Sequence, residues 1–285
     1  MQESAQKPPL LYTIRINKAQ SIQLAAYGTI LFFLAAGLFS WITGQENNFS
    51  LNPFLSLGIY FAAMIAHEGV HGFFFTVFGG KPQYGVGVLY YVFPYAYATS
   101  PGHPYTFWQM FIIGLSPFFI ISAITLGIGL ALPALATYVA IAFVGNFAGA
   151  IGDLWLMRQL WHFRKANQLT FVDIKTGVTV HGTDEQAKAI AAKLQKRDTL
   201  GSKGSGYITL ALTVMAYMFI SGLFFLVILA AVHFKGHILI GPHKFPLFEF
   251  ETHVKGASFT LNPVPALVAS LLFTVLYKQS TKHRP

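Results

Sequence analysis

Inside the apolar run Phe61–Phe78, FAAMIAHEGVHGFFFTVF, stand His67, Glu68 and His71 in the order H-E-x-x-H. On a helix, residues four apart share a face, so the two imidazoles can hold one metal ion with Glu68 beside them as candidate general base. Neutral imidazole suits Zn2+, and a catalytic zinc site keeps a position open for water. The metal acidifies that water and the carboxylate takes its proton. The 10 His of this chain would produce the pattern by chance in about one such chain in a hundred. Two core histidines held by hydrogen bonds are the plainer reading. Two His and a Glu in an apolar run are costly in lipid, however, and that weighs toward a metal.

A catalytic zinc site normally takes three protein ligands. There is no Cys, so the third must be His or carboxylate, and within the apolar runs the carboxylates are Glu68 and Asp153. Asp153 lies in AFVGNFAGAIGDLW. Gly145, Gly149 and Asp153 are spaced by four, a stripe of small residues that lets helices approach closely in lipid. A short Asp side chain needs such an approach to reach a metal on another helix. The rival reading of Asp153 is a helix-end carboxylate reaching for water. Asn146, on nearly the same face, is a candidate to hold a ligand or a substrate carbonyl, and equally a structural hydrogen-bonding residue. His103 reads as a loop histidine, and His162, His181, His233, His237, His243, His253 and His283 as surface residues.

The elements that must carry these residues are membrane spans. The chain is 54% hydrophobic and 10% charged, against about 25% charged in a soluble domain. Runs of about 20 apolar residues span a bilayer as helices. The pattern predicts an all-α polytopic membrane protein with about six transmembrane helices, a short β-like re-entrant segment and a small cytoplasmic α+β insert. Residues 1–19 read as a tail. The spans are expected at Leu24–Thr43, Phe54–Phe78, Phe107–Leu130, Pro133–Met157, Tyr207–Val232 and Leu261–Tyr277. Gly79-Gly80-Lys81-Pro82 should end the second span, the glycines allowing the turn and the proline barring continuation. Ser116-Pro117 should kink the third.

Residues 84–99, YGVGVLYYVFPYAYAT, favour strand. They read either as an extended or re-entrant segment against the bundle or as an interfacial aromatic loop. In the polar insert 158–205, FVDIKTGVTVHG suggests a hairpin, and Thr183 a cap for a helix over Asp184–Arg197. The insert's charges need no role beyond solvation. Residues 234–260 suggest another hairpin. The organisation expected is a membrane domain over 1–163, the insert over 164–205, and a second membrane part over 206–285.

Six spans would put both termini on one side, together with every Lys and Arg except Lys235, Lys244 and Lys255. By the positive-inside rule that side is cytoplasmic. The net charge of +9 is thus a topology signal. No basic stretch interleaved with aromatics points to nucleic acid. His71 and Asp153 then fall roughly 6–11 Å from the cytoplasmic ends of their helices at 1.5 Å per residue, in the cytoplasmic half of the bilayer.

HEGVHGFFFTVFGGKPQYGVG, PYAYATSPG and GNFAGAIGDLW resemble a family of bacterial and archaeal membrane proteins described as zincin peptidases (DUF3267). The likeness covers roughly residues 55–180. HEGVHG in a span, a β-like segment and a later Asp after an Asn are also similar to intramembrane zinc metalloproteases of the site-2 protease type. The resemblance implies His67, His71 and Asp153 as zinc ligands and Glu68 as catalytic base. The sequence departs from the Asn-Pro…Asp-Gly pattern of site-2 proteases, since Phe147 follows Asn146 and Leu154 follows Asp153. No PDZ-like insert is recognisable.

The function these readings favour is a zinc metallopeptidase acting on membrane-embedded or juxtamembrane peptides, with residues 84–99 offering an edge for strand addition. The alternative is a non-catalytic membrane carrier or scaffold holding a metal or haem on His67 and His71, for which Glu68 is not required. The expected partners are a membrane-protein or peptide substrate and the lipid bilayer. The sequence does not specify the oligomeric state.

Overall fold

The computed structural model describes residues 8–44, 53–89, 93–201, 234–241, 246–253 and 256–282, with scattered positions between 211 and 232. The expected first, second, third, fourth and sixth spans fall on helices, and the fifth lies largely outside the described residues. The described elements are β1 (Leu10–Arg15), α1 (Lys18–Thr43), α2 (Pro53–Val77), β2 (Gln83–Leu89), β3 (Phe93–Thr99), β4 (Pro104–Tyr105), α3 (Phe107–Ala131), α4 (Ala136–Gly149), α5 (Ile151–Leu160), β5 (Thr170–Ile174), β6 (Gly177–His181), α6 (Glu185–Gly201), β7 (His237–Ile240), β8 (Phe248–His253), β9 (Gly256–Leu261) and α7 (Pro263–Lys282).

The expectation of an all-α, six-span protein is therefore corrected. The strands form three antiparallel sheets, ordered β1-β6-β5-β4, β2-β3 and β7-β8-β9. Among the described residues, three helices are long and apolar enough to cross a membrane: Gln23–Thr43, Phe107–Ala131 and Pro133–Phe163. Helix α2 is 25 residues long, but His67, Glu68 and His71 dilute its apolar run. Pro263, Pro265 and the polar end of α7 do the same there. The expected tail contains a strand because β1 finds its partner in β6, with Thr13 opposite Thr179 and Ile14 opposite Val178. A pairing so remote along the chain leaves no local signal.

The chain divides into two compact units. One comprises Met1–Lys18, Met64–Ile121 and Ala150–Gly204, the other Ala19–Ala63, Ser122–Gly149 and Ser205–Pro285. In the first, alternation along the strands sends Phe171, Val178 and Val180 inward. Ala187, Ala191 and Leu194 of α6, spaced by four and three, present one apolar face. These join Ile14, Phe75, Met110, Ile113, Met157, Leu160 and Phe163 in a single core. The helix cap differs in detail from expectation. It is Asp184, not Thr183, that accepts the N–H of Ala187 at 2.9 Å and that of Asn167 at 3.2 Å.

In the second unit, Ala35 and Phe39 of α1 pack against Ala136, Ala140, Phe143 and Val144. The small alanines allow the helices to close on each other. The expected hairpin over 234–260 is a three-stranded meander.

Candidate metal centre

Every side chain of the centre belongs to the first unit. Helix α2 carries His67 and His71 one turn apart, 9% and 8% exposed. The ring centroids lie 4.9 Å apart and the planes are inclined at 77°. The long apolar helix of the sequence is interrupted between Gly149 and Ile151. That break places Asp153 in the first turn of α5, where unsatisfied N–H groups and the helix dipole favour a carboxylate. The glycine stripe does not run through to it. Gly145 lies under the Tyr60 ring, while a side chain at Gly149 would meet open space.

Asp153 Oδ2 is 3.0 Å from His67 Nε2 and 3.5 Å from His71 Nε2. One ligand atom from each residue lies within 4.8 Å of the others. Zinc bonds to N and O of about 2.0–2.2 Å in a tetrahedron set the ligands about 3.3–3.5 Å apart. The two Asp153 distances bracket that spacing, and the hard–borderline N,N,O donor set suits the ion. A further fit comes from His71 Nδ1, which donates to the carbonyl of Ile113 on α3 at 2.8 Å. This bond fixes the tautomer and leaves Nε2 with its lone pair for a metal.

Glu68 turns toward the strand pair β2-β3. Its Oε2 accepts the Ala98 N–H of β3 at 2.6 Å, and Oε1 makes no hydrogen bond among the described residues. Ala98 stands opposite Tyr84 of β2. Because its N–H is spent on Glu68, it points away from β2, and by strand alternation Ala96 points the same way. The free edge of β3 therefore runs beside the H-E-x-x-H helix. Tyr95 and Tyr97 stand opposite Gly87 and Gly85 and lie over them, where a side chain at either glycine would strike the phenol rings. Residues 84–99 are thus an antiparallel hairpin, the strand preference of the sequence realised in a specific register.

The end of α2 is built as expected from its glycines. Gly79 adopts φ +87°, a left-handed conformation that suits glycine. Its N–H bonds Thr76 O at 3.0 Å, and the N–H of Gly80 bonds Phe75 O at 2.8 Å, the two bonds of a Schellman cap. His103 Nε2 donates to Phe78 O at 3.0 Å, so this loop histidine satisfies one more terminal carbonyl.

Asn146 is buried in the other compact unit and donates to Ser122 Oγ at 3.0 Å. Sequence reasoning passed over two groups that the structure sets at the centre, the Ile113 carbonyl and Asp173. The first has no side-chain signature. The second was legible only as a lone carboxylate inside the strand run TFVDI. Asp173 Oδ2 accepts from Thr99 Oγ1 and from the Ser100 N–H, the latter at 2.8 Å. Burial pushes its carboxyl above the ordinary aspartate range, against the pull of those two donors and of the nearby His71.

An N,N,O donor cluster that could hold a metal ion thus stands on an H-E-x-x-H helix, with an edge strand alongside. Residues 60–167 match the family model DUF3267, whose description is "Putative zincin peptidase". That stretch holds His67, Glu68, His71 and Asp153. No curated protein and no solved structure matches the chain.

Proposed function

We propose that this protein is a zinc metallopeptidase that hydrolyses peptide bonds in membrane-embedded or juxtamembrane segments. The observation that carries the reading is the meeting of His67, His71 and Asp153 within 4.8 Å next to a Glu68 carboxylate held by a strand edge. His67 Nε2, His71 Nε2 and Asp153 Oδ2 would hold zinc, which when bound supplies an acidified water and a polarised carbonyl. Glu68, with Oε1 unspent, accepts a proton from the attacking water and returns it to the departing amine. A substrate must be extended for its carbonyl to be reached. The free edge of β3 offers the N–H and C=O of Ala96 and the C=O of Ala98 for main-chain pairing, and Pro94, lacking an N–H, limits the ladder.

The membrane setting is supported by the three apolar helices and by large apolar side chains left open on them, among them Leu34, Phe119 and Ile124. Surfaces of this kind require lipid or a partner. The basic insert following α5 supports, by the positive-inside rule, a centre toward the cytoplasmic leaflet.

Purified protein and its Glu68→Gln variant, reconstituted and given a panel of membrane peptides, test the proposal. The native chain should cleave and the variant should retain zinc while losing at least about 100-fold in kcat, the lower end for removal of a general base. Equal rates would take Glu68 out of the chemistry.

A further inference from the structure

Asp173 sits on β5, in the insert whose charges the sequence assigns to solvation, yet its carboxylate faces inward. Oδ2 gathers both the Thr99 hydroxyl and the Ser100 N–H. Thr99 and Ser100 are 5% and 0% exposed. Pro101 forms a bridge with Asp173 itself, and the Tyr105 hydroxyl donates to Ser100 Oγ at 2.7 Å. A second tie lies close by, where the ammonium of Lys175, two residues on, stands 4.2 Å from the Tyr97 ring centroid. The last residues of β3 are thus clamped to the insert. The next residue back, Ala98, is the one whose N–H holds Glu68.

We propose that Asp173 is a positioning residue for Glu68: by fixing Thr99 and Ser100 it aims the Ala98 N–H at Glu68 Oε2 and holds Oε1 in place for proton transfer. The inference rests on the reading of Glu68 as the base. It makes the insert a working part of the centre, since any rearrangement of β5 is transmitted through three consecutive residues to the carboxylate. The two donors converge on one oxygen, so the carbonyl of an asparagine can replace that acceptor while a hydrocarbon cannot.

The test compares Asp173→Asn with Asp173→Leu in full-length reconstituted protein. It follows amide exchange over residues 93–99, zinc content, and kcat and KM separately. In Asp173→Leu the Ala98 amide should exchange at least about tenfold faster, zinc should stay bound, and kcat should fall about tenfold or more while KM moves less than about threefold. Asp173→Asn should stay near native in all four. Glu68→Ala, which removes the acceptor directly, sets the exchange rate of a released Ala98. If Asp173→Leu does not fold, Thr99→Val, which deletes one donor at nearly constant volume, should still raise Ala98 exchange measurably. Unchanged Ala98 exchange in the folded variant, or Asp173→Asn failing as badly as Asp173→Leu, would overturn the proposal. Failure of the peptidase reading is seen separately. Native protein and Glu68→Gln would then cleave alike, while the exchange measurements still decide whether Asp173 places Ala98.

Discussion

Gly80 is the position where a single methyl group should do the most damage to the scaffold of the centre. A Cβ built there would overlap the Tyr105 hydroxyl and crowd Ser100 Oγ. Both residues are buried, Tyr105 at 1% and Ser100 at 0% exposed, so neither can swing into solvent. Overpacking of this kind costs about 1–3 kcal/mol. Breaking the Tyr105–Ser100 bond without removing its partners leaves buried polar atoms unpaired, for about 1–3 kcal/mol more. Against this stands the smaller unfolded-state entropy of Ala, worth about 0.4–1 kcal/mol at best. Gly80→Ala should therefore destabilise by about 1–6 kcal/mol, a large share of the 5–15 kcal/mol typical of folded proteins. The mechanism has its own signature in a double-mutant cycle. Tyr105→Phe alone loses the hydrogen bond, but combined with Gly80→Ala it also removes the nearest clashing atom, leaving Ser100 Oγ free to turn aside. The double variant should be no less stable than Gly80→Ala, giving a favourable coupling of about 1–3 kcal/mol. Equilibrium unfolding of the four proteins in one detergent measures this. Costs that add to within about 0.5 kcal/mol would refute the packing argument.

Metal content gives a second test. Elemental analysis should find zinc on the native protein and on Glu68→Gln, and its loss from Asp153→Ala, because Asp153 is the donor close to both imidazoles. Undiminished zinc in Asp153→Ala would remove it from the ligand set. A third test uses pH. Asp173 has its carboxyl raised above the ordinary value of 3.8 by burial, so the folded state holds that proton more tightly than the unfolded chain does. The stability this contributes is complete below that ordinary value and is lost as pH rises through the folded-state value. Relative to Asp173→Asn, which mimics the protonated form at every pH, the native protein should lose stability as pH climbs above about 4. Unfolding midpoints of the two proteins across that range should diverge, and parallel curves would contradict the burial argument.

What the sequence could and could not reveal follows from the range of the interactions. The H-E-x-x-H pair was legible because its geometry is local, one helical turn. Asp153 was reachable by elimination, since a chain so poor in acidic groups offers few carboxylates inside apolar runs. The Gly79-Gly80 stop was legible for the same reason, as a Schellman cap spans six residues. What stayed hidden depends on contacts remote along the chain. The tail becomes β1 only because β6 supplies its partner, and the six-span picture failed where hydropathy alone was asked to separate α2 and α7 from spanning helices. Asp173 was misread because solvation is the default for a charge in a polar segment. Its burial is created by Thr99 and Ser100, more than seventy residues earlier in the chain. This also explains why such a site tolerates a small, soluble-looking insert. The candidate ligands His67, His71 and Asp153 come from the helices α2 and α5. The N–H that meets Glu68 comes from a strand, and a two-stranded hairpin gains from a second sheet to brace it. The four-stranded sheet β1-β6-β5-β4 supplies that brace through Pro101, Asp173 and Tyr105.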